Sequence, residues 1–65
     1  MYQATATYEG QSYVSDVTAT DHAAVESVVA LLPAGHQPGC VSISVRLGGS
    51  LAYSDTLQSY RIATD

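Results

Sequence analysis

The 65-residue chain has no lysine, asparagine, phenylalanine or tryptophan, and its cationic side chains are Arg46 and Arg61. Proteins that grip nucleic acid neutralise phosphates with lysine and arginine, so two arginines in a chain of net charge −4 do not supply the footprint of direct DNA or RNA binding. The same deficit argues against anionic membrane surfaces, which recruit basic clusters. No apolar run approaches the roughly 20 residues that cross a bilayer. The opening Met1-Tyr2-Gln3-Ala4 lacks the basic start and apolar block of a signal peptide, so a cytoplasmic location is expected. Cys40 is the single cysteine. An intrachain disulfide is therefore excluded, and the thiol reads as a small core residue.

What is present is globular in character. Hydrophobic residues make up 46% of the chain and charged residues 12%. Disordered chains have the opposite balance, low hydrophobicity with high charge. One domain covering residues 1–65 is expected, near the size limit at which a core holds without disulfide or metal. Any association that hides further apolar surface would matter to such a molecule.

Tyr2 to Tyr8 alternate strictly, with Tyr2, Ala4, Ala6 and Tyr8 on one side and Gln3, Thr5 and Thr7 on the other, which is the period of a half-buried strand. Glu9-Gly10 supplies a turn, and Ser12 to Ala19 continue the extended pattern, so a hairpin is expected. A two-residue loop sets Ala6 opposite Tyr13 and Tyr2 opposite Val17, placing Val17 and Ala19 with the apolar side. Ala24, Val25, Val28, Val29 and Leu32 then fall at helical spacing, with Thr20 or Asp21 as cap and Pro33 closing the helix near Leu31 or Leu32. Ala34 to Gly39 reads as a loop. Val41, Ile43, Val45 and Leu47 form the cleanest alternating strand, and Gly48-Gly49-Ser50 turns it back. A three-residue loop is preferred there, because it sets Leu51 by Leu47 and Tyr53 by Val45. Beyond Tyr53 the parity breaks, which allows either one bulged strand or a turn followed by a short fifth strand. The expected fold class is α+β, ββαββ, with one amphipathic helix packed on one face of an antiparallel sheet and Ser, Thr and Gln on the other face.

Chemical signatures are sparse. His36 and Cys40 give one pair of soft ligands, whereas a structural zinc site needs four, so no metal or other cofactor is expected. No serine stands in a Gly-x-Ser-x-Gly elbow, and Gly48-Gly49 lacks the Lys-Ser/Thr that completes a phosphate loop. Asp21 and Glu26, five apart on a helix, point in different directions and do not make an acid/base pair. A non-enzymatic role is expected. Five tyrosines are the feature that most invites binding, since a phenol offers rigid area with a polar tip. Tyr2, Tyr8, Tyr13 and Tyr53 fall on the expected core face, whereas Tyr60 is taken as a contact residue.

These traits resemble, in type only, small acidic phage-encoded inhibitors such as anti-CRISPR proteins, and the amino-acid usage is that of GC-rich coding DNA from a bacterium or its phage. The resemblance implies an intracellular interaction protein that blocks the basic, nucleic-acid-binding surface of a protein partner. Glu9, Asp16, Asp21, Glu26 and Asp55 would supply the charge, and Tyr60 contact area. The alternative is a small homo-oligomeric, for example dimeric, structural or accessory domain with its Ser/Thr face buried between copies.

Overall fold

A computed structural model describes residues 1–64. Its elements are β1 (Tyr2–Tyr8), β2 (Gln11–Val14), α1 (Asp21–Val29), a 3-10 turn (Pro38–Cys40), β3 (Ser42–Leu47), β4 (Ser50–Thr56) and α2 (Leu57–Thr64). The four strands form one antiparallel sheet in the order β2-β1-β3-β4, so the two hairpins meet along β1 and β3. The α+β class and the helix on one sheet face hold. The expected ββαββ order is corrected at its end, where a second helix replaces a fifth strand or a bulged continuation.

The core follows from alternation. Ala4 lies beside Val45 and Ala6 beside Ile43, and all four are buried under the helix. Ala24, Val25, Val28 and Leu32 close the same cluster, with Val29 packed at its margin. Small alanines on β1 let α1 sit close to the sheet. Thr20 caps α1, its Oγ1 accepting from the Ala23 amide at 3.1 Å, while Asp21 adds negative charge at the positive end of the helix dipole. The helix ends at Val29, two to three residues earlier than expected. Leu31 and Leu32 donate to Val28 and Val29, tightening the last turn before Pro33.

The first hairpin turns in two residues with Tyr8 opposite Gln11 and Ala6 opposite Tyr13, as expected. Further along, the expected register is corrected. From Thr5 to Tyr2 is three steps, yet their partners Val14 and Thr18 are four apart, so the returning chain carries one extra residue. Ser15 is the cause. Its hydroxyl, in place of its carbonyl, accepts the Ala4 amide at 2.9 Å, and its carbonyl turns aside to accept Gln3 Nε2 at 3.0 Å. That bulge rotates Val17 out to 54% exposure, leaves Ala19 exposed as well, and puts Thr18, not Val17, opposite Tyr2.

The second hairpin also departs from expectation. Its loop is two residues, Gly48 and Gly49, with Leu47 opposite Ser50. A bulge at Ala52 then restores Tyr53 to Val45 and leaves Leu51 opposite Arg46, 56% exposed on the uncovered face. β4 ends at Thr56, whose Oγ1 accepts the Ser59 amide at 3.1 Å and so caps α2. Leu57 and Tyr60, one turn apart, are buried, and the Leu57 amide donates to the Val41 carbonyl at 2.9 Å. α2 approaches the 3-10 turn closely at Gly39, where a β-carbon would meet Gln58 Oε1 at 2.8 Å.

The uncovered sheet face is Gln3, Thr5, Thr7, Ser12, Val14, Ser42, Ser44, Arg46, Leu51, Ser54 and Thr56 by register. The molecule measures 30 × 24 × 16 Å, one sheet and one helix layer thick. No described helix is long and apolar enough to cross a membrane.

Candidate functional site

The acids expected to carry binding are spread over the molecule. Glu9 is exposed at the first turn, Asp16 is exposed in the Ser15 bulge, and Asp55 is exposed on the outer strand, its Oδ1 accepting the Thr56 amide at 2.8 Å. Asp21 and Glu26 lie half-buried on α1, beside α2. Glu26 Oε1 faces Arg61 Nη1 at 3.4 Å across the helix pair. Both side chains are more than 40% exposed, so this pair contributes at most about 1 kcal/mol. Among the described residues, Glu9, Asp16, Asp21 and Asp55 have no cation at ion-pair distance.

Tyr60 is corrected from contact residue to core. It is 6% exposed, and its ring stacks on Tyr53 with centroids 6.2 Å apart and planes inclined by 8°. Its hydroxyl shares a hydrogen bond with His22 Nδ1 at 3.4 Å. Thus Asp21, His22, Glu26, Tyr53, Tyr60 and Arg61 converge where α2 meets the start of α1. The Tyr53 hydroxyl is buried with no hydrogen-bond partner among the described residues. Burial, reinforced by the adjacent Tyr60 phenol and the Asp21 carboxylate, pushes its pKa up to about 12. Tyr60 is raised for the same reasons, burial first and Asp21 next. A phenol acting as base or nucleophile needs its pKa lowered toward neutrality, whereas these are held protonated. This convergence fastens α2 to α1.

A second convergence lies at the tip of the first hairpin. A groove of about 510 Å³ runs between Tyr8, Glu9, Gln11 and Tyr13 on one side and Pro33, Ala34 and Gly35 on the other. Tyr8 is nearly buried, and its ring meets His36 edge-on at 6.3 Å and 80°. His36 Nδ1 is 3.1 Å from the Pro33 carbonyl, and the His36 amide donates to the same oxygen at 3.3 Å, which fixes the far wall. Burial and the neighbouring Glu9 carboxylate raise the Tyr8 pKa. Glu9 is the one described non-glycine residue with positive φ, 51°. Tyr8 belongs to the core and Tyr13 packs against it, as expected, and both also line the groove, whereas residues 33–35 are expected only as connection; of the groove residues the sequence therefore singles out Glu9 alone for binding. Tyrosines on both sides of the Glu9-Gly10 turn were the available signal.

Cys40 is corrected too. It is exposed at the end of the 3-10 turn, because the inward alternation begins one residue later at Val41. Among the described residues, no three of His, Cys, Asp or Glu gather as a metal site. No family model, curated protein or solved structure matches the chain.

Proposed function

We propose that this chain is a non-enzymatic protein-interaction module that occludes a basic, nucleic-acid-binding surface of a protein partner in the cytoplasm, in the manner of phage-encoded inhibitors of the anti-CRISPR type. The observation that carries this reading is the set of uncompensated acids: Glu9, Asp16, Asp21 and Asp55 have no internal cation among the described residues. Carboxylates without a cationic partner project negative potential and steer a basic surface into contact, while shape supplies specificity. Direct nucleic-acid binding has no comparable support, with two arginines in the chain and Arg61 beside Glu26.

The test is co-purification from the native host with wild-type protein and a variant carrying Glu9→Gln, Asp16→Asn, Asp21→Asn and Asp55→Asn. A basic, nucleic-acid-binding partner that is lost from the variant and released by rising salt supports the reading. A partner retained equally by both proteins at every salt concentration sinks it.

A homo-oligomer is the second reading, and the uncovered sheet face favours it. Val14 and Leu51 stand more than half exposed there, among hydroxyls and with Arg46 as the charged strand residue. Native mass spectrometry separates the two readings: a stable dimer supports the second, and a monomer removes it.

A further inference from the structure

We propose that the groove at the first hairpin tip receives a single arginine side chain of the partner, its guanidinium lying against the tyrosine rings and paired with the Glu9 carboxylate. The inference rests on the reading above and adds where on this chain, and by which chemistry, a basic surface is held.

Three features of the groove point the same way. Two tyrosines line its hairpin side, the half-buried Tyr13 and the nearly buried Tyr8, and a cation over a tyrosine ring within about 6 Å is drawn to the negative face of the π system. Its charge is uncompensated. β1 runs from Tyr2 beside Leu47 to Thr7 beside Ser42, so Arg46 lies at the opposite end of the sheet from Glu9, and Arg61 is beside Glu26. Its volume, about 510 Å³ and open to solvent, is in the range of sites that accept a whole side chain.

The backbone at Glu9 adds an independent indication. The first position of this two-residue turn has φ of 51°, where glycine, asparagine or aspartate is at ease and a longer side chain is strained. Strain retained in a marginal domain is a pointer to use, and the side chain so placed lines the groove. The far wall is fixed in advance by the His36 to Pro33 contacts, so little ordering remains when a ligand enters.

Arginine fits better than lysine. A guanidinium is flat, stacks on an aromatic ring and presents paired N–H groups to a carboxylate, whereas an ammonium is a strongly hydrated point charge. A groove lined by two tyrosines and one carboxylate therefore discriminates between two side chains of equal charge.

The test uses uniformly ¹⁵N-labelled full-length protein titrated with two peptides, one of alternating arginine and glycine and one with lysine in place of arginine. The expected result is amide shifts concentrated at Glu9, Gly10, Gln11, Tyr13 and Gly35, with the arginine peptide bound at least about fivefold more tightly. Glu9→Gln, on an exposed turn, should keep the spectrum of the fold while weakening the arginine peptide about tenfold and erasing its advantage over lysine. Tyr13→Leu should also reduce the preference, its fold being checked in the same spectra. Equal affinities, or shifts spread over Asp16 and Asp55, would overturn the groove and leave the general basic-surface reading standing. No shift with either peptide would overturn both.

Discussion

The two hairpins solve one problem with different residues. Each reverses in two residues held at positive φ, 51° and 77° at Glu9 and Gly10 and 59° and 93° at Gly48 and Gly49, the pattern of a type I′ turn. Each also takes up one extra residue in its returning strand, at the Ser15 bulge and at Ala52. The second hairpin fills its turn with glycine although a β-carbon at either position would touch nothing within 4 Å, so backbone preference alone accounts for the choice. The first sets a glutamate in the same conformation. Its turn is the less comfortable one, and it is the one bordering a groove.

The comparison can be broken most forcibly at the bulges. Ser15→Ala should cost about 1–3 kcal/mol in urea denaturation, because the buried Ala4 amide loses its acceptor. Deleting Ala52 should cost far less, since Leu51 opposite Arg46 and Tyr53 opposite Val45 would then be consecutive and the ladder regular. Equal losses would show that both bulges stabilise the sheet.

At the turns, Gly48→Ala should destabilise by about 1 kcal/mol through backbone strain alone. Glu9→Asn should stabilise by about 0.5 kcal/mol and raise the thermal midpoint, while weakening the arginine peptide. A drop in midpoint for Glu9→Asn would remove the argument from strain.

Tyr53 sharpens the contrast through pH. Its folded pKa of about 12 stands above the ordinary 10, so the folded form keeps a proton that the unfolded chain gives up. The stabilisation is complete below pH 10 and is lost as pH rises toward 12. Alkaline unfolding followed by circular dichroism should begin in that window and move upward in Tyr53→Phe, a change that also deletes a buried hydroxyl with no hydrogen-bond partner among the described residues.

The smallest effect is expected at Cys40. Cys40→Ser should alter stability by less than about 0.5 kcal/mol, and the native thiol should react with a disulfide reagent as fast as the unfolded one.

The alternating strands, the Glu9-Gly10 register and the α1 stripe were legible because each is written in periodicity over several residues. Val17 and Leu51 were not, because a bulge shifts parity by one without any apolar signal. Ser15 is one serine among many until Ala4 is known to face it. α2 was missed because its apolar contribution is Leu57 and Tyr60 alone. The cap at Thr56 with Ser59 three residues on was visible, but Thr56 also continued a strand. Exposure of Glu9 and Asp55 could be read from the expected turns and their charge, and that of Asp16 from its place on the polar face of an extended segment. The burial of Tyr60 could not, since it depends on α2 folding back beside α1. The groove joins Tyr8 to Tyr13 with Pro33 to Gly35, segments distant in sequence whose proximity only the tertiary fold creates.

The 16 Å thickness of the molecule carries a mechanical consequence. Thr5 and Ser44, facing outward, are bonded through one peptide unit to Ala4, Ala6, Ile43 and Val45, facing inward. A partner pressed on the bare face would lean, through a single ply of backbone, on the same atoms that α1 leans on from behind. Ligation and cohesion are then one quantity, and the melting point of a mixture serves as a gauge of occupancy.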